Sequence, residues 1–127
     1  MSTRHHVTGY ENFLKFFESF HKVEPVFVYY TGTKLENGQS WCPDCVEAEP
    51  YIEAAIEKLA PKDSHLVVVQ VGDRAFWKNP ECPFRKDIKT HLRVLPTLAQ
   101  WSTQKRLQGD ECKNEELLEM LLTDQDE

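Results

Sequence analysis

The sequence lacks any hydrophobic stretch long enough to cross a membrane, since its longest aliphatic run is only Leu66–Val69. It also lacks an excess of basic residues: 15 lysines and arginines against 21 aspartates and glutamates give a net charge of -6. We therefore expect no nucleic-acid partner and no membrane partner. The first ten residues contain no apolar core typical of a signal peptide, so we predict a cytoplasmic protein.

Cysteine is scarce, with four residues in a chain of 127. Because the cytosol keeps thiols reduced, these cysteines are expected to be reactive, metal-binding or simply packed, rather than a disulfide framework. Hydrophobic residues make up 40% of the chain and charged residues 28%, which is typical of a globular protein. We predict a single domain over residues 1–127 that buries its own core.

The hydrophobic pattern predicts alternating strands and helices. The continuous apolar run Val26–Tyr30 predicts a strand that is covered on both faces, and Leu66–Val71, interrupted only by Gln70, predicts a second buried strand. The other predicted elements are an edge strand at Arg4–Val7, a helix from a Thr8–Glu11 capping box to Lys22, a helix from Cys42 to Ala60, a helix over Phe84–Leu92, strands at Thr97–Trp101 and Lys105–Gln108, and a last helix around Leu117–Leu122, with Asp73–Pro83 irregular. This order predicts an α/β fold with a mixed central sheet of four to five strands, flanked by helices on both faces.

One short stretch has recognisable chemistry: Trp41-Cys42-Pro43-Asp44-Cys45. Two cysteines separated by two residues can form a small disulfide ring that exchanges with other disulfides. The stretch follows a polar loop and begins a helical pattern, so Cys42 suits the N-cap and Pro43 the first helical position. Backbone N–H groups and the helix dipole favour a thiolate there, so we expect a lowered pKa for Cys42 in spite of the nearby Asp44.

The spacing also indicates a role for each thiol. Cys42 would attack a substrate disulfide, and Cys45, one helical turn deeper and less exposed, would then attack the Cys42 sulfur. Trp41 would shield that sulfur and offer a flat apolar contact. The alternative for such a pair is half of a zinc site, which needs two further ligands. Cys82 and Cys112 are single and far apart, and the five histidines provide no second pair of suitable spacing.

Three further residues leave alternatives open, and a fourth, Cys112, has a single expected role. Phe76 and Trp77 could form the rim of a substrate groove or could simply be packed. Cys82 is expected to be an inert loop cysteine, with an exposed regulatory thiol as the alternative. Cys112 is expected to be a half-buried residue near the start of the last helix.

Several features together resemble the thioredoxin family over nearly the whole chain. Val26–Tyr30 precedes the cysteine pair, and Pro50 lies five residues past Cys45, like the proline that kinks the family's helix. Val94–Leu98 resembles the segment that holds the family's cis-proline. The Trp-Cys-Pro-Asp-Cys motif and the segment Phe76–Pro80 are similar to one branch of that family.

The resemblance implies a thioredoxin fold and further site residues. It implies that the Leu95–Pro96 bond is cis, that Pro96 shapes the groove beside Cys42, and that the Leu95 backbone pairs with an extended substrate. It implies electrons from NADPH through thioredoxin reductase, with small disulfides such as cystine, and nitroso or persulfide groups on proteins, as substrates. One departure is Tyr29, which stands where the family buries an aspartate; a phenol is a poor base at neutral pH.

These observations predict a monomeric, cytoplasmic disulfide reductase without a bound metal or organic cofactor. Its expected catalytic residues are Cys42 and Cys45, and its expected site-shaping residues are Trp41, Pro43, Asp44, Leu95 and Pro96. The alternative is a redox-sensitive binding module that regulates a signalling partner or a dynein light chain. The two hypotheses differ because turnover needs both cysteines, whereas binding would survive their replacement by serine.

Overall fold

Five strands and five helices occupy residues 2–123, the part of the chain that the computed structural model describes. The strands are β1 (Thr3–Thr8), β2 (Val26–Thr31), β3 (His65–Gln70), β4 (Thr97–Gln100) and β5 (Arg106–Gln108). The helices are α1 (Tyr10–Ser19), α2 (Pro43–Leu59), α3 (Arg74–Lys78), α4 (Pro83–Lys86) and α5 (Glu115–Thr123), with a 3-10 helix at Gly109–Lys113. Residues 1 and 124–127 of the predicted domain lie outside the described residues.

The strands form one mixed sheet in the order β1-β3-β2-β4-β5. β1 and β2 both pair in parallel with β3, whereas β4 runs antiparallel to β2 and β5 antiparallel to β4. The predicted α/β architecture with a mixed sheet is confirmed. Among the described residues, no helix is long and apolar enough to span a membrane.

The central strand β2 divides the core into two layers, because successive side chains point to opposite faces of a sheet. Val26, Val28 and Tyr30 belong to one buried cluster, which includes aromatic residues of α1. Phe27 and Tyr29 belong to the other cluster, which includes apolar residues of α2 and α5. All six residues of β2 are buried: the five of the predicted apolar run, Val26–Tyr30, and also Thr31, which the sequence assigned to the following loop.

The predicted Thr8–Glu11 capping box is wrong. Thr8 still belongs to β1, where it pairs with Gln70, and the N-cap of α1 is Gly9, which has a φ of 88° and makes no side-chain cap. Helix α1 also ends at Ser19 rather than near Lys22. Thr8 therefore pairs within the sheet instead of capping the helix, and a glycine makes the turn between strand and helix.

The region from residue 73 to residue 92 also differs from the prediction. The supposedly irregular segment contains α3, whose first turn is capped by the Asp73 carboxylate accepting the Phe76 N–H at 2.8 Å. The predicted helix over Phe84–Leu92 is only the single turn α4. The Thr90 hydroxyl donates to the Phe84 carbonyl at 2.7 Å, the acceptor that the N–H of Ile88 would need, and Ile88 is 88% exposed.

Candidate active site

Cys42 and Cys45 form a disulfide at the N-terminus of α2. Cys42 has an extended backbone and is the N-cap, and Pro43 is the first helical residue, so both of these local predictions are confirmed. The Cys45 N–H donates to the Cys42 Sγ at 3.2 Å, and the Cys42 N–H donates to the Ser40 Oγ at 3.1 Å. The sulfur of Cys42 therefore faces a backbone donor at the positive end of the helix dipole.

The two cysteines differ little in exposure, and both are largely buried in this disulfide state. Cys42 is 5% exposed and Cys45 is 1% exposed, which is the order expected for an attacking and a resolving thiol. Pro43 and Asp44, between them, are both exposed. The roles of the two thiols nevertheless stay a prediction.

Trp41 is fixed against the sheet by its indole. Its Nε1–H donates to the Gly72 carbonyl at 2.8 Å. Gly32 lies against the same ring, because a Cβ built there would come within 2.7 Å of the indole Cε2. Gly72 is itself covered by Phe76, since a Cβ at Gly72 would lie 2.6 Å from the Phe76 Cδ2. Two glycines thus allow the indole and a phenyl ring to approach the backbone beside the disulfide.

The polar segment before the motif is anchored rather than loose. A bridge between Lys34 and Ser40 closes it into a short hairpin. The Thr33 N–H donates to the Gly72 carbonyl at 3.0 Å, and the Gly72 N–H donates to the Thr33 Oγ1 at 2.9 Å. The Lys34 N–H also donates to the Gln70 Oε1 at 3.1 Å. The hairpin therefore holds a defined position at the end of β3.

The Leu95–Pro96 peptide bond is cis, as the family resemblance implies. Leu95 is buried in the same cluster as Cys42 and Cys45. The carbonyl of Pro96 accepts the Gly109 N–H at 2.8 Å, which ties this turn to the start of the 3-10 helix. The structure thus brings the 41–45 motif and the Pro96 turn into one region of the molecule.

Tyr29 does not take over the role of the family's buried aspartate. It is 3% exposed, its hydroxyl has no hydrogen-bond partner within residues 2–123, and it belongs to the cluster on the other face of the sheet from Cys45. Burial raises the pKa of Tyr29 to about 12. The phenol is therefore protonated at neutral pH and has no capacity to accept a proton from Cys45.

Of the two cysteines outside the motif, Cys112 is more buried than expected, whereas the burial of Cys82 agrees with the expected inert cysteine. Cys82 is buried, and Cys112 has no exposed surface. Burial raises the pKa of Cys112 to about 12, and its thiol donates to the Leu107 carbonyl at 3.5 Å. A half-buried Cys112 and an exposed Cys82 are thus both excluded. Among residues 2–123, no cluster of three or more potential metal ligands is found.

The two aromatic residues of α3, Phe76 and Trp77, could each be packed or form the rim of a substrate groove, and the structure shows a different environment for each. Trp77 is buried, with the Arg85 guanidinium 4.0 Å from its ring centroid and the Arg85 Nε–H donating to its carbonyl at 2.7 Å. Phe76 is 39% exposed and lies against Gly72. Trp77 is therefore packed, and only Phe76 lies where a rim residue would be.

Sequence reasoning missed the glycines and the 3-10 helix that complete the site. Gly32, Gly72 and Gly109 are far apart in the chain, and each matters through a contact made only after folding. Lys113 in the 3-10 helix was also missed; its Nζ lies 2.8 Å from the Glu47 Oε1 on α2 and so connects the two elements. The glycines that follow strand-like runs were the only available signal.

Comparison with known proteins gives consistent matches. The family model described as thioredoxin domain-containing protein 17-like, thioredoxin domain, matches residues 6–124. The chain is 41% identical over 118 residues to thioredoxin domain-containing protein 17 of Danio rerio, and 36% identical over 118 residues to the Homo sapiens protein of that name, covering 93% of both chains in each case. A solved structure of chloroplastic thioredoxin z is 14% identical with a TM-score of 0.49, over 95% of this chain and 96% of that one, a likeness too distant to bear on function.

Proposed function

The chain belongs to the thioredoxin domain-containing protein 17-like family of thioredoxin domains, and on that premise we propose that it is a thiol–disulfide oxidoreductase whose redox-active dithiol is Cys42 and Cys45. Family membership supports a thioredoxin-like redox function. The observation that carries the proposal for these two residues is the hydrogen bond from the Cys45 N–H to the Cys42 Sγ at the N-cap of α2. That donor and the helix dipole stabilise negative charge on Cys42, which is the charge of the attacking thiolate.

In the first step of the proposed reaction, the Cys42 thiolate attacks one sulfur of a substrate disulfide. A bond forms between that sulfur and the Cys42 Sγ, the substrate disulfide breaks, and the other substrate half leaves as a thiolate that takes a proton from water.

In the second step, Cys45 loses its proton and attacks the Cys42 Sγ. The mixed disulfide breaks, the second substrate half leaves as a thiolate, and the two cysteines reach the disulfide state of this structure. Two electrons have then passed from the dithiol to the substrate. Because Tyr29 stays protonated at neutral pH, the proton acceptor for Cys45 would be solvent or the exposed carboxylate of Asp44.

Restoring the dithiol needs two electrons from outside the chain. We propose thioredoxin reductase as their direct donor and NADPH as their source, with no cofactor bound to this chain. The proposed substrates are small disulfides such as cystine and selected oxidised proteins, and the proposed compartment is the cytoplasm. The anchored Lys34–Ser40 hairpin supports such selectivity, because it would hinder large partners next to Trp41 more than a small disulfide.

The experiment that tests this function is a coupled assay that contains NADPH, thioredoxin reductase, cystine and the protein. We expect the wild type to consume NADPH continuously and Cys42→Ser to fall to the rate measured without the protein. Cys82→Ser is the matched control, since it removes a buried thiol outside the motif and should keep the wild-type rate. Equal NADPH consumption by the wild type and Cys42→Ser would contradict the proposal.

A further inference from the structure

One cavity lies on the face of the sheet that carries α1, and no residue of the 41–45 motif lines it. Its volume is about 370 Å³, and its apolar wall is formed by Phe17 and Trp101. The two rings are stacked with their centroids 3.9 Å apart, so this wall is a fixed aromatic surface. A cavity of this size is within the range that small organic ligands occupy.

Tyr30 also lines this cavity, although the residue is only 2% exposed. A tyrosine hydroxyl can both donate and accept a hydrogen bond. Tyr30 therefore offers a ligand in this cavity a polar group in addition to the aromatic wall.

The charged groups in the cavity wall are all basic. Lys89 and Arg106 line it, and His21 lies at the same wall. The Arg106 guanidinium is fixed, because its Nη2–H donates to the Thr90 carbonyl at 2.8 Å. Burial raises the pKa of Tyr30, and the positive charge of Arg106 opposes that rise.

No acidic residue among those described lines the cavity, and the nearby Asp87 carboxylate already accepts two hydrogen bonds. Asp87 is close enough to contribute to the raised pKa of Tyr30. Its Oδ2, however, accepts the Tyr10 hydroxyl at 2.7 Å, and its Oδ1 accepts the Lys89 N–H at 2.8 Å. The cavity therefore presents hydroxyl donors and positive charge without a competing carboxylate.

We propose that this cavity binds a small organic anion with an apolar body and one carboxylate or phosphate group. The apolar body would lie against Trp101 and Phe17. The anionic group would accept hydrogen bonds from the Tyr30 hydroxyl and the Lys89 ammonium, next to the Arg106 guanidinium. Hydroxyls of Ser102 and Thr103 at the same wall are further donors.

The test is a titration of the ¹⁵N-labelled full chain, followed by the shifts of its amide signals. Benzoate and phenyl phosphate are the two anionic probes, and benzamide is the neutral probe of similar shape. We expect both anions to shift signals of β4, β5 and the end of α1 saturably, and benzamide to shift them far less. The tighter of the two anions assigns the ligand group as carboxylate or phosphate.

Two variants test the proposed contacts. Tyr30→Phe removes only the hydroxyl, and Lys89→Gln removes an exposed cation, so neither is expected to disturb the fold. Each should weaken binding of the anions about fivefold, as loss of a hydrogen bond or a close charge predicts. Tyr51→Phe and Lys58→Gln on α2 are the matched controls, because they make the same chemical changes away from this cavity.

Three results would overturn the proposal. The first is the absence of saturable shifts with both anions while the protein remains folded by its amide spectrum. The second is benzamide binding as tightly as benzoate, which would leave no role for the basic residues. The third is equal affinity in the wild type, Tyr30→Phe and Lys89→Gln. The proposal does not depend on the redox activity of Cys42 and Cys45, so an inactive Cys42→Ser variant should bind the anions normally.

Discussion

Two tyrosines show that the effect of a hydroxyl group on stability depends on whether it has a hydrogen-bond partner. The Tyr10 hydroxyl donates to the Asp87 carboxylate at 2.7 Å, whereas the Tyr29 hydroxyl is buried without a partner among residues 2–123. A satisfied hydrogen bond stabilises the folded state modestly, and an unsatisfied buried group destabilises it. The two hydroxyls should therefore have opposite effects on the free energy of unfolding.

We predict that Tyr29→Phe leaves the free energy of unfolding unchanged or raises it by up to about 1 kcal/mol, because no hydrogen bond is lost. Tyr10→Phe is the matched control and should lower it by about 1 kcal/mol. Urea unfolding followed by circular dichroism measures both values. A Tyr29→Phe variant that is less stable than Tyr10→Phe would show that the Tyr29 hydroxyl has a partner in solution.

At the residue scale, sequence reasoning succeeded where function depends on neighbours in the chain. Cys42 as N-cap and Pro43 as the first helical residue follow from local backbone chemistry. It failed for Cys112, because the burial of a small side chain is decided by elements that pack on it from elsewhere. The unpaired state of Tyr29 is likewise a property of the folded core alone.

At the scale of elements, β1 is joined to β3 by a pair of histidines. The His5 Nε2 and the His65 Nδ1 are 3.1 Å apart, and the Phe16 and Phe20 rings surround His5. The Glu24 carboxylate lies 3.9 Å from the other nitrogen of His65. Burial lowers the pKa of His5 from its ordinary value of 6.5, and the nearby charges of His65, Lys22 and His6 lower it further.

This pair predicts that the protein loses stability on acidification. Because the pKa of His5 is lower in the folded chain, the unfolded chain binds more protons below about pH 6.5, so the free energy of unfolding falls as the pH falls. His5→Gln should make that dependence shallower between about pH 7 and pH 5, whereas His21→Gln, at an exposed position, should not. Urea unfolding at a series of pH values measures this, and parallel curves for wild type and His5→Gln would contradict it.

A second element, the hairpin before the motif, depends on Gly72. Gly72 has a φ of 131°, donates to Thr33 and accepts from Trp41, and it leaves no room for a Cβ under Phe76. Gly38 also has a positive φ, of 86°, but nothing lies within 4 Å of its Cβ position. A substitution at Gly38 therefore introduces backbone strain alone, whereas a substitution at Gly72 introduces backbone strain and a steric clash.

We predict that Gly38→Ala lowers the free energy of unfolding by about 1 kcal/mol through backbone strain alone. Gly72→Ala should lower it by about 2 kcal/mol or more, since the new methyl group also displaces Phe76. Thermal or urea unfolding of the two variants gives the comparison. Equal losses would mean that Phe76 moves aside without cost and that the contact does not fix the hairpin.

The elements themselves were predictable to different degrees. β2 and β3 follow from uninterrupted apolar runs, and α2 from its repeated apolar face. The short helices between residues 73 and 92 were not predictable in this way, because a side-chain hydrogen bond from Thr90 and the burial of Leu92 end α4 after one turn. The 3-10 helix depends in the same way on Pro96, whose carbonyl binds Gly109.

At the scale of the whole molecule, the sheet determines which parts of the site meet. β2 leads towards the cysteine motif, β3 ends at Gln70, two residues before Gly72, and β4 begins directly after Pro96. Because β2 lies between β3 and β4, these three segments are neighbours although they are far apart in the sequence. The motif and the fold class were predictable from the chain, whereas the contacts among these segments required the structure.

The central claim is that Cys42 attacks and Cys45 resolves, and trapping of the mixed disulfide tests it most directly. Reduced Cys45→Ser, Cys42→Ser and wild-type protein would each be mixed with cystine and measured as intact proteins by mass spectrometry. We predict that only Cys45→Ser accumulates one stable half-cystine adduct, mapped to Cys42, because the wild type resolves it and Cys42→Ser cannot form it. An adduct that forms equally on Cys42→Ser, or that maps to Cys82 or Cys112, would contradict this assignment.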